Sequence, residues 1–176
     1  FNDLIKNTVT SEAMMKYLDN VDNLDPDSPY SKKHPNQKVG FNENLAREVM
    51  ELFTISPDAG YTQKDVVNAT KILSGWGGDR KWMKDKWRGL GDMYFPIVFR
   101  KDSHSKGVKT VLGKKYEGGE KELFEFIDDL CNMDECAQFI STKLAIHYIA
   151  DNPPKEAVEH IKSTFKKSSG HLPSIH

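Results

Sequence analysis

Cysteine is scarce in this chain: Cys131 and Cys136 are the only two, five positions apart. That spacing lacks the second ligand pair of a zinc site and is not a redox Cys-x-x-Cys, so both read as small residues packed in or beside helices. Long apolar runs are also missing. The longest is a few residues, against the ~20 needed to cross a bilayer, so the sequence holds no membrane span. Net charge is nearly absent: 25 Lys and Arg face 26 Asp and Glu, which leaves no global field to draw the chain to nucleic acid or an anionic membrane. Gly-x-Ser-x-Gly, His-Glu-x-x-His, P-loop and dinucleotide patterns do not occur. Several familiar enzyme classes are thereby removed, and no nucleotide or flavin motif remains. There are no internal repeats and no low-complexity tracts.

At 176 residues the chain suits one domain with a full core. It opens on Phe1, inside what already reads as a helix, and is expected to be a fragment or processed product of a larger helical protein. What the sequence does have is helical periodicity. Apolar residues at 4, 5, 14, 15, 17 and 18 predict two short helices or one bent one, with Thr10-Ser11-Glu12 as an N-cap between them. Residues 19–40, rich in Asp, Asn, Pro, Ser and Lys, predict an exposed loop. The spacing of Asp19, Asp22, Asp25 and Asp27 does not fit a calcium loop.

The stretch 42–53 is the clearest helix. At about 100° per residue, Glu43, Asn44, Arg47, Glu48 and Glu51 fill one arc while Leu45, Ala46, Val49, Met50, Leu52 and Phe53 fill the other. Thr62-Gln63-Lys64-Asp65 resembles a capping box and starts a second helix that Gly75, Gly77 and Gly78 end, with Trp76 among them. Residues 77–92 form a loop in which Trp82 and Trp87 alternate with basic side chains. Residues 94–99 and 109–116 predict the two strands of one antiparallel hairpin, with His104 near its tip. Residues 120–168 predict three further helices. The middle one is apolar nearly all round and is expected to be the buried central helix, with His147 packed in the core. The fold class is mainly α, a multi-helix domain with one small β-hairpin.

Several blocks together resemble one family. Asn42-Glu43-Asn44-Leu45-Ala46-Arg47-Glu48-Val49-Met50-Glu51-Leu52, Gly60-Tyr61-Thr62-Gln63-Lys64-Asp65-Val66 and Ser74-Gly75-Trp76 are similar to the signature of a large bacterial family classed only as a domain of unknown function. Met15-Lys16-Tyr17-Leu18-Asp19-Asn20, Lys109-Thr110-Val111-Leu112-Gly113 and the stretch from Lys143 to Pro154 fit as well, in the family's order. The resemblance implies a longer protein, exported to the periplasm or beyond, often encoded beside an exported sulfatase-like protein that becomes a partner to consider. It brings no established activity. Two positions depart from the pattern: Ser105 stands where the family usually has Asp, and Leu45 where it has Tyr.

The polar arc allows three readings. As a ligand site, Asn44 and Glu48 project together at i and i+4 and could hold a divalent metal or polar substrate, with His104 arriving from the hairpin. Glu48 and His104 would be the catalytic pair, and Asn42, Glu43, Asn44, Arg47, Glu51, Trp76 and Lys109 the ligand-binding set. As a structural network, the same groups satisfy one another and nearby backbone. As a solvated face, Glu43, Arg47 and Glu51 pair in water at about 0.3–0.5 kcal/mol each. The corresponding functions are a metal- or carboxylate-dependent hydrolase or polysaccharide-active enzyme, and a non-catalytic scaffold or interaction module of an envelope or secreted assembly. The second is preferred.

Overall fold

Ser11 divides the first helical stretch in two. Its hydroxyl accepts the Met14 N–H and caps a new helix, so α1 (Asn2–Val9) and α2 (Glu12–Tyr17) are separate. The computed structural model describes residues 1–37, 39–81 and 95–175. Ser28 caps α3 (Pro29–Lys33) in the same way. The capping box at α5 (Gln63–Leu73) forms as the sequence predicts: the Thr62 hydroxyl accepts the Asp65 N–H, and the Asp65 carboxylate accepts the Thr62 N–H. Asp65 also accepts the Leu112 N–H at 2.8 Å, tying the start of α5 to a distant turn. The C-terminal part is α6 (Lys121–Asn132), α7 (Asp134–Tyr148) and α8 (Lys155–Lys167).

The 42–53 helix is α-helical only at its start. α4 (Asn44–Arg47) passes directly into a π-helical stretch, Glu48–Thr54. The wider i→i+5 winding advances each residue by a smaller angle than an α-helix does, so the faces slip out of phase. Leu45, Ala46, Val49 and Met50 are fully buried, as the periodicity requires, but Leu52 is turned outward and is 49% exposed. Thr54, fully buried, donates its hydroxyl to the Val49 carbonyl at 2.6 Å and so occupies a backbone acceptor inside the widened turn.

The core lies where α1, α2, α4 with its π extension, α5 and α6 meet, around Val9, Met15, Leu45, Met50, Ile72, Leu73 and Phe126. Each such side chain contributes roughly 1.5–3 kcal/mol by leaving water. α7 is less central than its composition suggests. Cys136, Ala137, Ser141 and Ala145 are buried, while Ile146, His147, Tyr148 and Ile149 are exposed.

The expected single hairpin over 94–116 is replaced by two strand pairs. β1 (Trp76–Gly78) and β2 (Ile97–Phe99) run antiparallel with Trp76 opposite Phe99, and β3 (Lys109–Val111) pairs with β4 (Lys114–Tyr116). Leu112 and Gly113, at φ +49° and +80°, make a two-residue turn that closes residues 109–116 on themselves. Phe99 is left to the glycine-rich segment after α5, where the Arg100 side chain lies against the bare Cα of Gly77. Tyr94, Trp82 and Trp87 lie outside the described residues.

Residues 19–40 also differ from the exposed loop expected. Asn20 and Asn23 are fully buried, and Leu24, Ser28 and Ser31 are nearly so. The segment is held by backbone bonds from Asp25 N–H to the Ser103 carbonyl and from Tyr30 N–H to the Asp102 carbonyl. Asn20, Asn23, Ser28 and Ser31 are interior because they have interior partners, while Asp22, Asp27, Lys32 and Lys33 of the same segment are exposed.

Two outcomes follow. Gly75 has φ +81°, and a Cβ there would come within 2.9 Å of the Arg100 oxygen and the His104 nitrogen. Gly75→Ala should therefore cost about 2–3 kcal/mol, lowering the melting temperature by ~5–10 °C in thermal denaturation. Burial opposes the Asp65 charge, but the bonds from Thr62 and Leu112 outweigh it and hold the carboxyl below its ordinary range. The resulting stability is present above about pH 4, the unfolded value, and is lost as pH falls through the lowered folded value. Acid unfolding of Asp65→Asn should start from a lower stability at neutral pH and show a shallower loss below pH ~4.

Candidate functional site

α5 ends in a run of carbonyls that its own helix cannot satisfy, and polar side chains from remote segments reach those of Thr70, Leu73, Ser74, Gly75 and Trp76. Asn23 donates to the Thr70 oxygen at 3.0 Å, and Asn20 donates to the oxygens of Leu73 at 3.3 Å and Trp76 at 3.2 Å. Arg100 donates from Nε to the Gly75 oxygen at 3.1 Å and from Nη2 to the Val21 oxygen at 2.8 Å. His104 takes the Ser74 oxygen at 2.7 Å through Nδ1. Burial, followed by the nearby Arg80 charge, brings Arg100 down to about 10. At neutral pH it is still a cation, the favoured charge at a helix C-terminus.

His104 also opens a second, deeper cluster. A carbonyl oxygen only accepts, so Nδ1 carries a hydrogen, and the other ring nitrogen faces the Glu122 carboxyl at 2.7 Å. Lys109 Nζ donates to the same Glu122 oxygen at 2.8 Å and to the Ser105 carbonyl, and lies 3.1 Å from His104 Nε2. His104, Lys109 and Glu122 are 4%, 2% and 1% exposed, so the cluster is sealed from solvent. Phe99 meets the imidazole edge-on at 4.8 Å between ring centres, and Trp76 packs on Phe99 and Phe124. Among the described residues, Glu122 Oε2 and Trp76 Nε1 have no hydrogen-bond partner.

The polar arc of 42–53 is organised separately. Arg47 bonds Glu43 at 2.9 Å, Glu51 at 3.2 Å and Gln63 at 2.6 Å, and Gln63 returns a bond to Glu43 at 3.0 Å. Tyr61 joins the end of the ladder: burial, then a hydrogen bond to Glu51, pushes its phenol up to about 12 and keeps it a donor. Arg47, Glu43 and Glu51 are 39%, 32% and 26% exposed at the side chain, which places the ladder at the surface. Asn42 is a local brace: its Oδ1 accepts the Asn44 N–H, and its own N–H donates to Asn23 Oδ1. Asn44 itself is exposed. Glu48 is half-buried and makes no ion pair or hydrogen bond among the described residues.

Of the residues singled out from sequence, the structure thus brings together Glu43, Arg47 and Glu51 in one ladder, and His104 and Lys109 in one buried cluster beside Trp76. Both ring nitrogens of His104 are engaged with Ser74 and Glu122, so neither is turned to Asn44 or Glu48. Among the described residues, no three His, Cys, Asp or Glu side chains are placed to hold a metal ion. Glu122 escaped the sequence reading, and so did Asn20, Asn23 and Arg100. The signal for Glu122 was present: it stands on the apolar stripe of α6 with Phe126 and Leu130, a charge where a core residue belongs.

Removing one member of a buried ion pair strands the other, at about 3–5 kcal/mol, whereas replacing both by apolar groups can be neutral. Glu122→Gln should lower the melting temperature by about 10 °C. The double change Lys109→Met with Glu122→Leu should recover most of that loss in the same denaturation measurement.

Comparison with known proteins adds one match. No curated protein and no solved structure matches the chain significantly. The model of one family, described as "Protein of unknown function (DUF1800)", matches residues 1–176. Since that match covers the whole chain, the protein belongs to this family of unknown function.

Proposed function

We propose that this chain is a non-catalytic scaffold or interaction module of an exported assembly. The carrying observation is that the charged groups of the signature helix other than Glu48, and those of the buried His104 cluster, are committed to one another and to backbone. Arg47 holds Glu43, Glu51 and Gln63, and the imidazole and ammonium of the only acid–base cluster described are closed off by Ser74, Ser105 and Glu122. A catalytic set needs at least one group turned toward an approachable reactant. The exposed apolar end of α7, with Ile146, Tyr148 and Ile149, supports an interaction role, because apolar surface of this kind is commonly covered by a partner. The family resemblance makes an exported sulfatase-like protein the first partner to try.

One observation favours the alternative, a metal- or carboxylate-dependent hydrolase or polysaccharide-active enzyme. Glu48 is unengaged among the described residues and stands one turn from exposed Asn44. Elemental analysis of the purified protein beside Glu48→Gln separates the two readings. Under the scaffold reading, both preparations carry the same metal content and melt together, while Arg47→Met lowers the melting temperature by ~2–5 °C through loss of the ladder. A stoichiometric divalent ion in the parent that is absent from Glu48→Gln, with unchanged melting, would establish the enzyme reading instead.

A further inference from the structure

Lys109 and Glu122 are the most deeply buried charged side chains among the described residues, and they touch. Lys109 Nζ lies 2.8 Å from Glu122 Oε1, while His104 Nε2 lies 2.7 Å from the same oxygen and 3.1 Å from Nζ. An amine, a carboxyl and an imidazole nitrogen thus stand in mutual contact inside the protein. Glu122 Oε2 has no hydrogen-bond partner among the described residues, so the site does not fully solvate a carboxylate.

Free in water, an amine and a carboxyl do not condense to an amide: hydration stabilises both charges, encounters are brief, and water hydrolyses the product. This site removes each obstacle. Burial disfavours the two separate charges, and condensation abolishes both. Held contact replaces encounter, and effective molarities for well-placed groups reach about 10⁵–10⁸ M. Phe99 packs on the imidazole and Trp76 packs on Phe99 and Phe124, an apolar cover that excludes hydrolytic water. No outside reactant is needed, which suits a sealed cluster.

We infer that Lys109 and Glu122 condense into an intramolecular isopeptide bond, with His104 carrying the protons, and that this holds under either reading of function. The Ser74 carbonyl accepts from Nδ1, which leaves Nε2 of the neutral ring as a proton acceptor. Nε2 takes one proton from the Lys109 ammonium and delivers it to Glu122 Oε1, giving a neutral amine beside a neutral acid. The Nζ lone pair attacks the carboxyl carbon, one bond beyond Oε1, and the C=O electron pair moves to Oε2. A second proton passes from Nζ through Nε2 to Oε1. The Oε2 pair re-forms the C=O bond, the C–Oε1 bond breaks, and water leaves. One ammonium and one carboxylate have become one amide and one water, with no oxidant and no proton from outside. The amide nitrogen keeps one hydrogen beside the Ser105 carbonyl, to which Nζ already donates. The water has a thin cover to cross: half-buried Gly118, at φ +96°, passes so near that a Cβ there would lie 3.7 Å from Nζ. The bond ties the β3–β4 hairpin to α6 across 13 positions of sequence.

The test is the intact mass of the purified full chain, taken after complete denaturation and followed by tryptic peptide mapping. The expected result is a mass one water below that of the sequence, no cleavage after Lys109, and one branched peptide joining Lys109 to Glu122. Lys109→Met and Glu122→Leu should each show the full sequence mass. His104→Gln, which keeps both reacting groups, should lose water roughly a hundredfold more slowly. The ion-pair melting comparison of Glu122→Gln with the double variant applies to chain that has not condensed; the condensed parent should melt about 5–10 °C above it, the scale of closing a short loop. A parent that stays at the full sequence mass after extended incubation in the folded state would overturn the inference. So would water loss that maps to other residues or persists in Lys109→Met. Condensation of His104→Gln at the parent's rate would remove His104 from the reaction. The parent's mass and peptide map decide the matter even if every variant fails to fold.

Discussion

The interaction on which the rest of this fold depends is the satisfaction of the carbonyls where α5 ends. A helix terminus inside a protein leaves acceptors that water cannot reach, and each one left bare costs roughly 1–3 kcal/mol. Here the donors are Asn20, Asn23, Arg100 and His104, two separate stretches of sequence drawn to one helix end. Their convergence explains several otherwise unrelated features. Gly75 is needed because the Arg100 and His104 backbone passes against its Cα. The start of 19–40 is interior because Asn20 and Asn23 must reach Thr70, Leu73 and Trp76. β2 lies beside β1 because Phe99 precedes the arginine that serves Gly75.

His104 joins this terminus to the second constraint, the buried Lys109–Glu122 pair. Two opposite charges in the interior gain little net stability over an apolar pair of the same volume, since their desolvation offsets their attraction. What they do provide is a fixed arrangement. Lys109 opens β3, Glu122 opens α6, and His104 sits at the α5 terminus, so one carboxyl oxygen ties the small β3–β4 hairpin, the C-terminal helices and the carbonyl run together. Any other pairing of these elements would leave a charge buried alone. Ser105 takes part through its backbone, donating N–H to the Ser74 hydroxyl and offering its carbonyl to Lys109. A carboxylate at position 105 is therefore not required for the cluster to close.

Much of this was legible in the sequence, and the failures share a cause. Two helix starts were readable because caps are local: Ser11 and Thr62 act on residues three positions on, whereas the same cap at Ser28 was hidden in a stretch of loop composition. The buried face of 42–50 was readable because periodicity is local too. Asn20 and Asn23 were misplaced because asparagine in a Pro- and Asp-rich stretch carries the same composition whether its amide meets water or a carbonyl fifty residues away. The hairpin over 94–116 was misassigned for a related reason. Each half has strand composition, but pairing is decided by partners elsewhere, by the glycines after α5 and by the Leu112-Gly113 turn.

The π-helical stretch and the end of α7 show the limit of periodicity itself. A wheel drawn at 100° assigns Leu52 to the core, and the assignment fails at the point where the backbone changes winding, not where the side-chain pattern changes. The wide turn is held by Thr54 donating to Val49, a threonine that looks unremarkable in sequence because its role is to occupy a backbone acceptor. Within the same stretch, the Leu52 carbonyl accepts a bond from Lys143 of α7 at 3.3 Å. The signature helix is thereby tied to the same C-terminal element that presents Ile146, Tyr148 and Ile149 to solvent. Under the scaffold reading, the signature marks how that helix is held in place, and its polar ladder is the outer edge of the support.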